Sequence, residues 1–289
     1  FSKNLILLIL LSAIWGSAFF AIKISVSDIN PLSVASGRLV IGAVILLLYF
    51  NYNKLNFKFS YKEINYIFLI AMIGNLIPFS LISWAEVYIK SNTAGLLLSI
   101  GPIFALIFSH FMTKDDKFSV LKFISILIGF VGAILIFGID SINLTSKNFI
   151  PKIAIIISAF GYVLSSILAY NLKNIDSISL TTAVTLFAAI LSIPFLIFSE
   201  LKIQSNFSLP SILALIYLGI FPTAIAFLIR FYIIAKAGPI FLSYVAYLIP
   251  VFAIIWGYLF LKETINFMTL VGVLLVLMGV FISQKKSSE

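Results

Sequence analysis

Residues 64–88 read INYIFLIAMIGNLIPFSLISWAEVY, a stretch whose one charged side chain is Glu86. Crossing the roughly 30 Å of bilayer hydrocarbon takes about 20 apolar residues in an α-helix. Backbone amides surrounded by lipid must find partners within their own segment, which excludes an open sheet. The run is apolar on every side for longer than the roughly ten-residue alternating strands of a membrane barrel. The stretch therefore predicts a transmembrane helix.

The same reading extends outward to spans near 4–25, 32–50, 93–113, 118–138, 150–171, 177–198, 211–234, 239–261 and 265–283. With 64–88 this makes an all-α polytopic membrane protein of ten helices joined by short loops. The whole composition agrees. Hydrophobic residues make up 62% and charged residues 10% of the 289-residue chain, and the mean hydropathy of +1.18 leaves no room for a soluble domain. Leu5 to Ala13 runs on through Trp15 and Phe19 to Ile24 without a small-residue cleavage site, so the first span reads as a retained helix and not a signal peptide.

The chain has no cysteine and one histidine, His110. Disulfides, thiolate metal sites and multi-histidine centres are thereby excluded, and no metal or cofactor is expected. A net charge of +9 in so apolar a chain is a topology signal and not a nucleic-acid footprint, so nucleic acid is not an expected partner and the lipid bilayer is. With a cytoplasmic N-terminus, eleven basic residues outside the spans face inward and five outward. The positive-inside rule thus predicts both termini in the cytoplasm. Lys23, Arg38 and Arg230 fall within spans.

Two halves of the chain echo one another. Pro78 precedes Tyr88 by ten residues as Pro222 precedes Tyr232, an offset of 144, and Gly101-Pro102-Ile103-Phe104 matches Ile249-Pro250-Val251-Phe252 at 148. Lys114-Asp115 falls on Lys262-Glu263 at that same offset, and glycine-spaced helices follow, with Gly129 and Gly132 in one half and Gly272 and Gly279 in the other. The division is into residues 1–140 and 141–289, five spans each. An odd number of spans makes the second unit enter from the opposite side, giving inverted repeats, the architecture of alternating access.

These residues carry a resemblance. Trp15-Gly16-Ser17 and Lys23, Arg38, the run Ile77 to Pro102 with Trp84-Ala85-Glu86, Tyr247 to Pro250 and Leu261-Lys262-Glu263 resemble the drug/metabolite transporter superfamily, in its EamA branch of two five-helix repeats. The resemblance covers nearly the whole chain. It implies a permease for small molecules in a bacterial inner (plasma) membrane, with amino acids among the substrates of relatives, and it leaves monomer and homodimer both open. Lys114-Asp115-Asp116 departs from the pattern, where family members often have a glutamate.

Charges kept within the bilayer face the bundle interior or a cavity. Arg38 suits a carboxylate or phosphate through its bidentate fork, or else a structural tie to helix carbonyls. Glu86 and Arg230 are repeat equivalents, each eight residues after its proline, and suit the two ends of a zwitterion or a gate. The plainer alternative pairs Glu86 with Lys90 and lets Arg230 snorkel to the interface, as Lys23 is expected to. Glu86 and His110 are the groups through which protons could be coupled. Pro78, Pro102, Pro222 and Pro250 predict kinks with carbonyls freed near the midplane, to be met by a ligand or by neighbouring helices. Trp15, Trp84, Tyr244 and Tyr247 complete the expected cavity and gating set, with ordinary packing the alternative for the tyrosines. The competing functions are a lipid or drug flippase and, less well supported, a membrane enzyme. Asp115-Asp116, the one adjacent acidic pair, sits in a lysine-flanked loop and reads as a solvated turn.

Overall fold

The structure, a computed structural model, describes residues 3–138, 148–200, 207–261 and 267–283. The Lys262-Glu263 motif and the tail Gln284–Glu289 lie outside them. Among the described residues there are helices and connecting turns, and no strand. Eight helical stretches are long and apolar enough to cross a membrane, and the shorter apolar helices Val245–Trp256 and Phe267–Ile282 accompany them.

The first half comprises α1 (Lys3–Ser25), α2 (Pro31–Tyr52), α3 (Tyr61–Ala71), a π-helical segment (Met72–Leu76), α4 (Ile77–Tyr88), α5 (Ser91–Leu98), α6 (Gly101–Met112) and α7 (Val120–Phe137). The second comprises α8 (Phe149–Asn171), α9 (Ser177–Glu200), α10 (Leu209–Leu218), a second π segment (Gly219–Ile225), α11 (Ala226–Ser243), α12 (Val245–Leu261) and α13 (Phe267–Ile282). Local chemistry starts these helices. Asn30 caps α2 ahead of Pro31, Ser60 and Glu63 form a capping box on α3, and Ser119 caps α7.

Two expected spans are not continuous. The span near 93–113 breaks at Ser99 and Ile100, which separates α5 from α6. Near 239–261 the chain turns at Gly238, whose φ of +86° suits glycine alone, and breaks again at Tyr244 before α12. Pro102 therefore opens α6, where its missing amide costs nothing, and does not kink a helix. Pro78 likewise sits in the first turn of α4, directly after the first π segment. Pro222 lies within the second π segment and Pro250 within α12.

The glycine-spaced helices of the two halves meet each other. A Cβ on Gly132 would lie 2.7 Å from the Gly272 carbonyl oxygen, and one on Gly279 would lie 2.7 Å from that of Ser125, so α7 and α13 touch backbone to backbone.

Candidate functional site

A cavity of about 120 Å³ opens where α1, α2, α4 to α6, α8, α11 and α12 converge. Its wall is mostly apolar, built from residues such as Phe19, Ile22, Phe79, Ile82, Val163 and Ile249. Trp15, Arg38, Tyr162, Ser166, Arg230 and Ser243 supply its polar groups. Of the residues expected from the sequence, Trp15, Arg38 and Arg230 line this wall.

Close backbone contacts position both arginines. Gly219 presses its backbone on Ile41 of α2, and Gly42 presses on Thr223 of the second π segment. Arg38, 3% exposed, then donates from Nε to Thr223 Oγ1 at 3.1 Å, with Cζ 3.8 Å from the centroid of the Phe79 ring. The first π segment meets α8 in the same way, Gly74 against Ser165 and Gly161 against the Ile73 carbonyl. At that contact lies Arg230, 1% exposed. Its Nη2 donates to Ser165 Oγ at 2.6 Å, Ser166 Oγ at 3.1 Å and the Tyr162 carbonyl at 3.4 Å. Its Cζ lies 5.4 to 5.8 Å from the ring centroids of Tyr162, Phe227 and Phe231. Buried Nη1 has no hydrogen-bond partner among the described residues. Arg230 thus does not snorkel as the plainer alternative had it: its guanidinium is buried and held by α8.

Glu86 is fully buried but lies off the cavity wall. Its Oε2 accepts from Ser91 Oγ at 3.0 Å, and Oε1 is unpartnered among the described residues. It forms no ion pair with Lys90, because α4 ends at Tyr88 and the extended Ile89 and Lys90 redirect the chain before α5 begins. Nor does the fold pair Glu86 with Arg230, which α8 holds instead. Lys23 does more than snorkel. Its Nζ donates to the Glu86 carbonyl at 2.6 Å, occupying a backbone acceptor in the last turn of α4.

The freed carbonyls are met by neighbouring side chains. Thr223 Oγ1 donates at 2.8 Å to the Leu218 carbonyl freed by Pro222, and Ser99 Oγ at 3.2 Å to the Ala246 carbonyl freed by Pro250, while Trp15 Nε1 donates to the carbonyl of Pro222 itself at 3.0 Å. Tyr244 and Tyr247 turn away from the cavity and toward α7, where Tyr244 shares a hydrogen bond with Ser125 and Tyr247 donates to the Ile126 carbonyl at 3.0 Å. They serve helix packing. Trp84 also lies off the wall, its ring 5.3 Å from that of Tyr88. His110 is exposed at the end of α6 and off the cavity wall, where its Nδ1 accepts from the Phe118 amide at 3.4 Å.

Sequence reasoning missed Tyr162, Ser165, Ser166 and Thr223. Their signal was faint but present: a tyrosine and two serines at helical i, i+3 and i+4 spacing, and a threonine beside a helix proline. It also missed Asp116. This side chain is not a solvated turn residue: Oδ2 accepts from the Ile240 amide at 2.9 Å and Oδ1 pairs with Lys122 Nζ at 2.9 Å. Asp115 does behave as a surface residue, pairing with Lys173 at 2.6 Å. Among the described residues no group of acidic or histidine side chains is placed to hold a metal.

The sequence model of the EamA-like transporter family matches this chain twice, at residues 2–138 and 150–284. The uncharacterized transporter YoaV of Bacillus subtilis is 24% identical over 284 residues, covering 97% of this chain and 96% of its own. An uncharacterized transporter of Archaeoglobus fulgidus is 28% identical over 287 residues, covering 98% and 99%. A solved crystal structure, 16% identical, superposes with a TM-score of 0.81 over 98% of this chain and 97% of that one, a likeness of fold.

Proposed function

The chain belongs to the EamA-like transporter family, and from that premise we propose that it moves small polar or amphipathic organic solutes through the central cavity by alternating access. One observation carries the reading: the cavity is walled by matching helices of both halves, α1 and α8, α4 and α11, and the broken spans at 91–112 and 239–261. Taken as inverted five-helix units, 1–140 and 141–289, these walls exchange roles when the bundle rocks, so one site faces each side in turn. The proposed setting is a bacterial inner membrane with both termini cytoplasmic, in keeping with the lysine distribution.

Breaks in the helices supply the articulation. Each broken span has a segment that can pivot against its continuation, and each π segment provides a second pliable turn next to a buried arginine. Glu86 is the buried acid available for coupling protons to this cycle.

The test is uptake by the purified protein in liposomes, over a labelled panel of amino acids, organic acids, amines, nucleotides and sugars, with and without a pH gradient. Saturable uptake of one class is the expected result. Folded, inserted protein that moves none of them while flipping labelled lipid would replace this reading with a flippase.

A further inference from the structure

We propose, resting on the transporter reading above, that the cavity selects organic anions: molecules with a carboxylate or phosphate head and a compact apolar body. The charge balance of the wall carries this. Two guanidinium groups face the cavity, and among the described residues neither lies within 4 Å of a carboxylate. The nearby acid, Glu86, is engaged by Ser91 and does not reach the wall.

Each guanidinium is anchored on one side and unpartnered on the other. Arg230 is held at Nη2 by three oxygens of α8 and leaves Nη1 buried without a partner. Arg38 is held at Nε by Thr223, and its terminal nitrogens have no hydrogen bond among the described residues. A guanidinium fixed in this way presents a preorganised donor edge that suits the planar oxygens of a carboxylate or the face of a phosphate.

Aromatic faces supply part of the compensation. Phe79 lies under Arg38, Phe227 under Arg230, and the two rings are 5.7 Å apart, linking both cations through one aromatic pair. Ring quadrupoles offset only a fraction of the cost of keeping two cations out of water. An oxyanion offsets more of it. An ammonium group meets the opposite environment, two like charges and an apolar wall without an acid. A free amino acid is therefore a poorer fit than its deaminated counterpart, and an amine is the poorest.

The experiment uses ligands with a shared branched body and different charge: 4-methylpentanoate, 3-methylbutyl phosphate, leucine and 3-methylbutylamine. Binding to the purified full chain is read by quenching of tryptophan fluorescence, with Trp15 on the wall as reporter, and by ligand-induced thermal shift. At least one of the two anions is expected to bind about ten-fold or more tighter than leucine, the scale of one charged hydrogen bond, with the amine weakest. The carboxylate and phosphate arms tell the two head groups apart. Arg38→Gln and Arg230→Gln are each expected to cut the preference for anion over amine by about ten-fold. If Arg230→Gln does not fold, Arg230→Lys keeps the charge and is expected to keep the order of preference while weakening binding. Leucine or the amine binding as tightly as the anions overturns the proposal, as does the absence of anion binding to folded wild-type protein. Saturable uptake of a zwitterion or cation in the liposome panel would sink anion selectivity and leave the transporter reading intact, so the two fail separately.

Discussion

The Ser99 hydroxyl reaches the carbonyl of Ala246 at 3.2 Å, sharing its one proton with the Gly95 carbonyl at 3.0 Å, and Ala246 lies four residues before Pro250, the residue whose missing amide leaves that carbonyl without its helical donor. Ser99 sits at the break between α5 and α6, so a gap in one half of the chain fills a defect in the other. Ser99→Ala strands a buried acceptor and is expected to lower stability by about 1–3 kcal/mol. Pro250→Ala restores the donor, so the Ser99→Ala cost should be smaller in that background. Thermal unfolding of the four proteins in detergent measures the cycle, and equal costs in both backgrounds would refute the pairing.

Gly132 faces Gly272 so closely that an added methyl group would meet backbone, 2.7 Å from a carbonyl oxygen and 2.8 Å from the Val276 nitrogen. Neither atom can move without shifting a whole helix. Gly132→Ala should destabilise the protein by about 1–3 kcal/mol. The drop in unfolding temperature is the readout, and an unchanged midpoint would contradict the contact.

Asp28, in the turn between α1 and α2, accepts from the hydroxyls of Ser208, Ser211 and Ser27, and these bonds hold its pKa down at about 2. A depressed folded pKa means that the added stability is fully present above the ordinary carboxylate value of 3.8 and is lost as pH falls through about 2. Asp28→Asn is therefore expected to unfold at a lower temperature than wild type near neutrality, with the gap narrowing over that acidic window. A gap independent of pH would rule out the carboxylate as its source.

Asp116 ties the loop after α6 to the first turn beyond Gly238 through the Ile240 amide. Asp116→Ala leaves that amide without its acceptor and Lys122 with the Lys117 carbonyl alone, at a cost of about 1–3 kcal/mol. Faster hydrogen exchange is expected across 238–244, next to the cavity-lining Pro239, and should be absent from α13. Uniform exchange rates in mutant and wild type would show that the tie holds nothing in place.

Much of the fold was legible because length and unbroken hydropathy determine a membrane helix whatever surrounds it. The gap expected between the spans ending at 234 and starting at 239 contains Gly238. Arg38 and Arg230 stood out as charges within spans and Trp15 as part of the family pattern, and all three reach the cavity. Direction was another matter. A helix apolar all round carries no stripe to show which face turns inward, so Tyr244 and Tyr247 looked like wall residues although they bind α7. Asp116 was misjudged for a related reason: a residue in a short loop has no periodicity, and only the tertiary path shows that Asp116 points in.

The π segment at Gly219–Ile225 has a further effect on Arg230. A wide turn accommodates a surplus residue for nearly the same rise, so everything beyond it is rotated by about 100° relative to an unbroken α-helix. Without that surplus, the guanidinium five residues past Ile225 would swing toward a different neighbour and the cavity would lose one of its charges. An irregularity in hydrogen bonding upstream thus acts as an angular setting, fixing the compass bearing of a side chain more than a turn away.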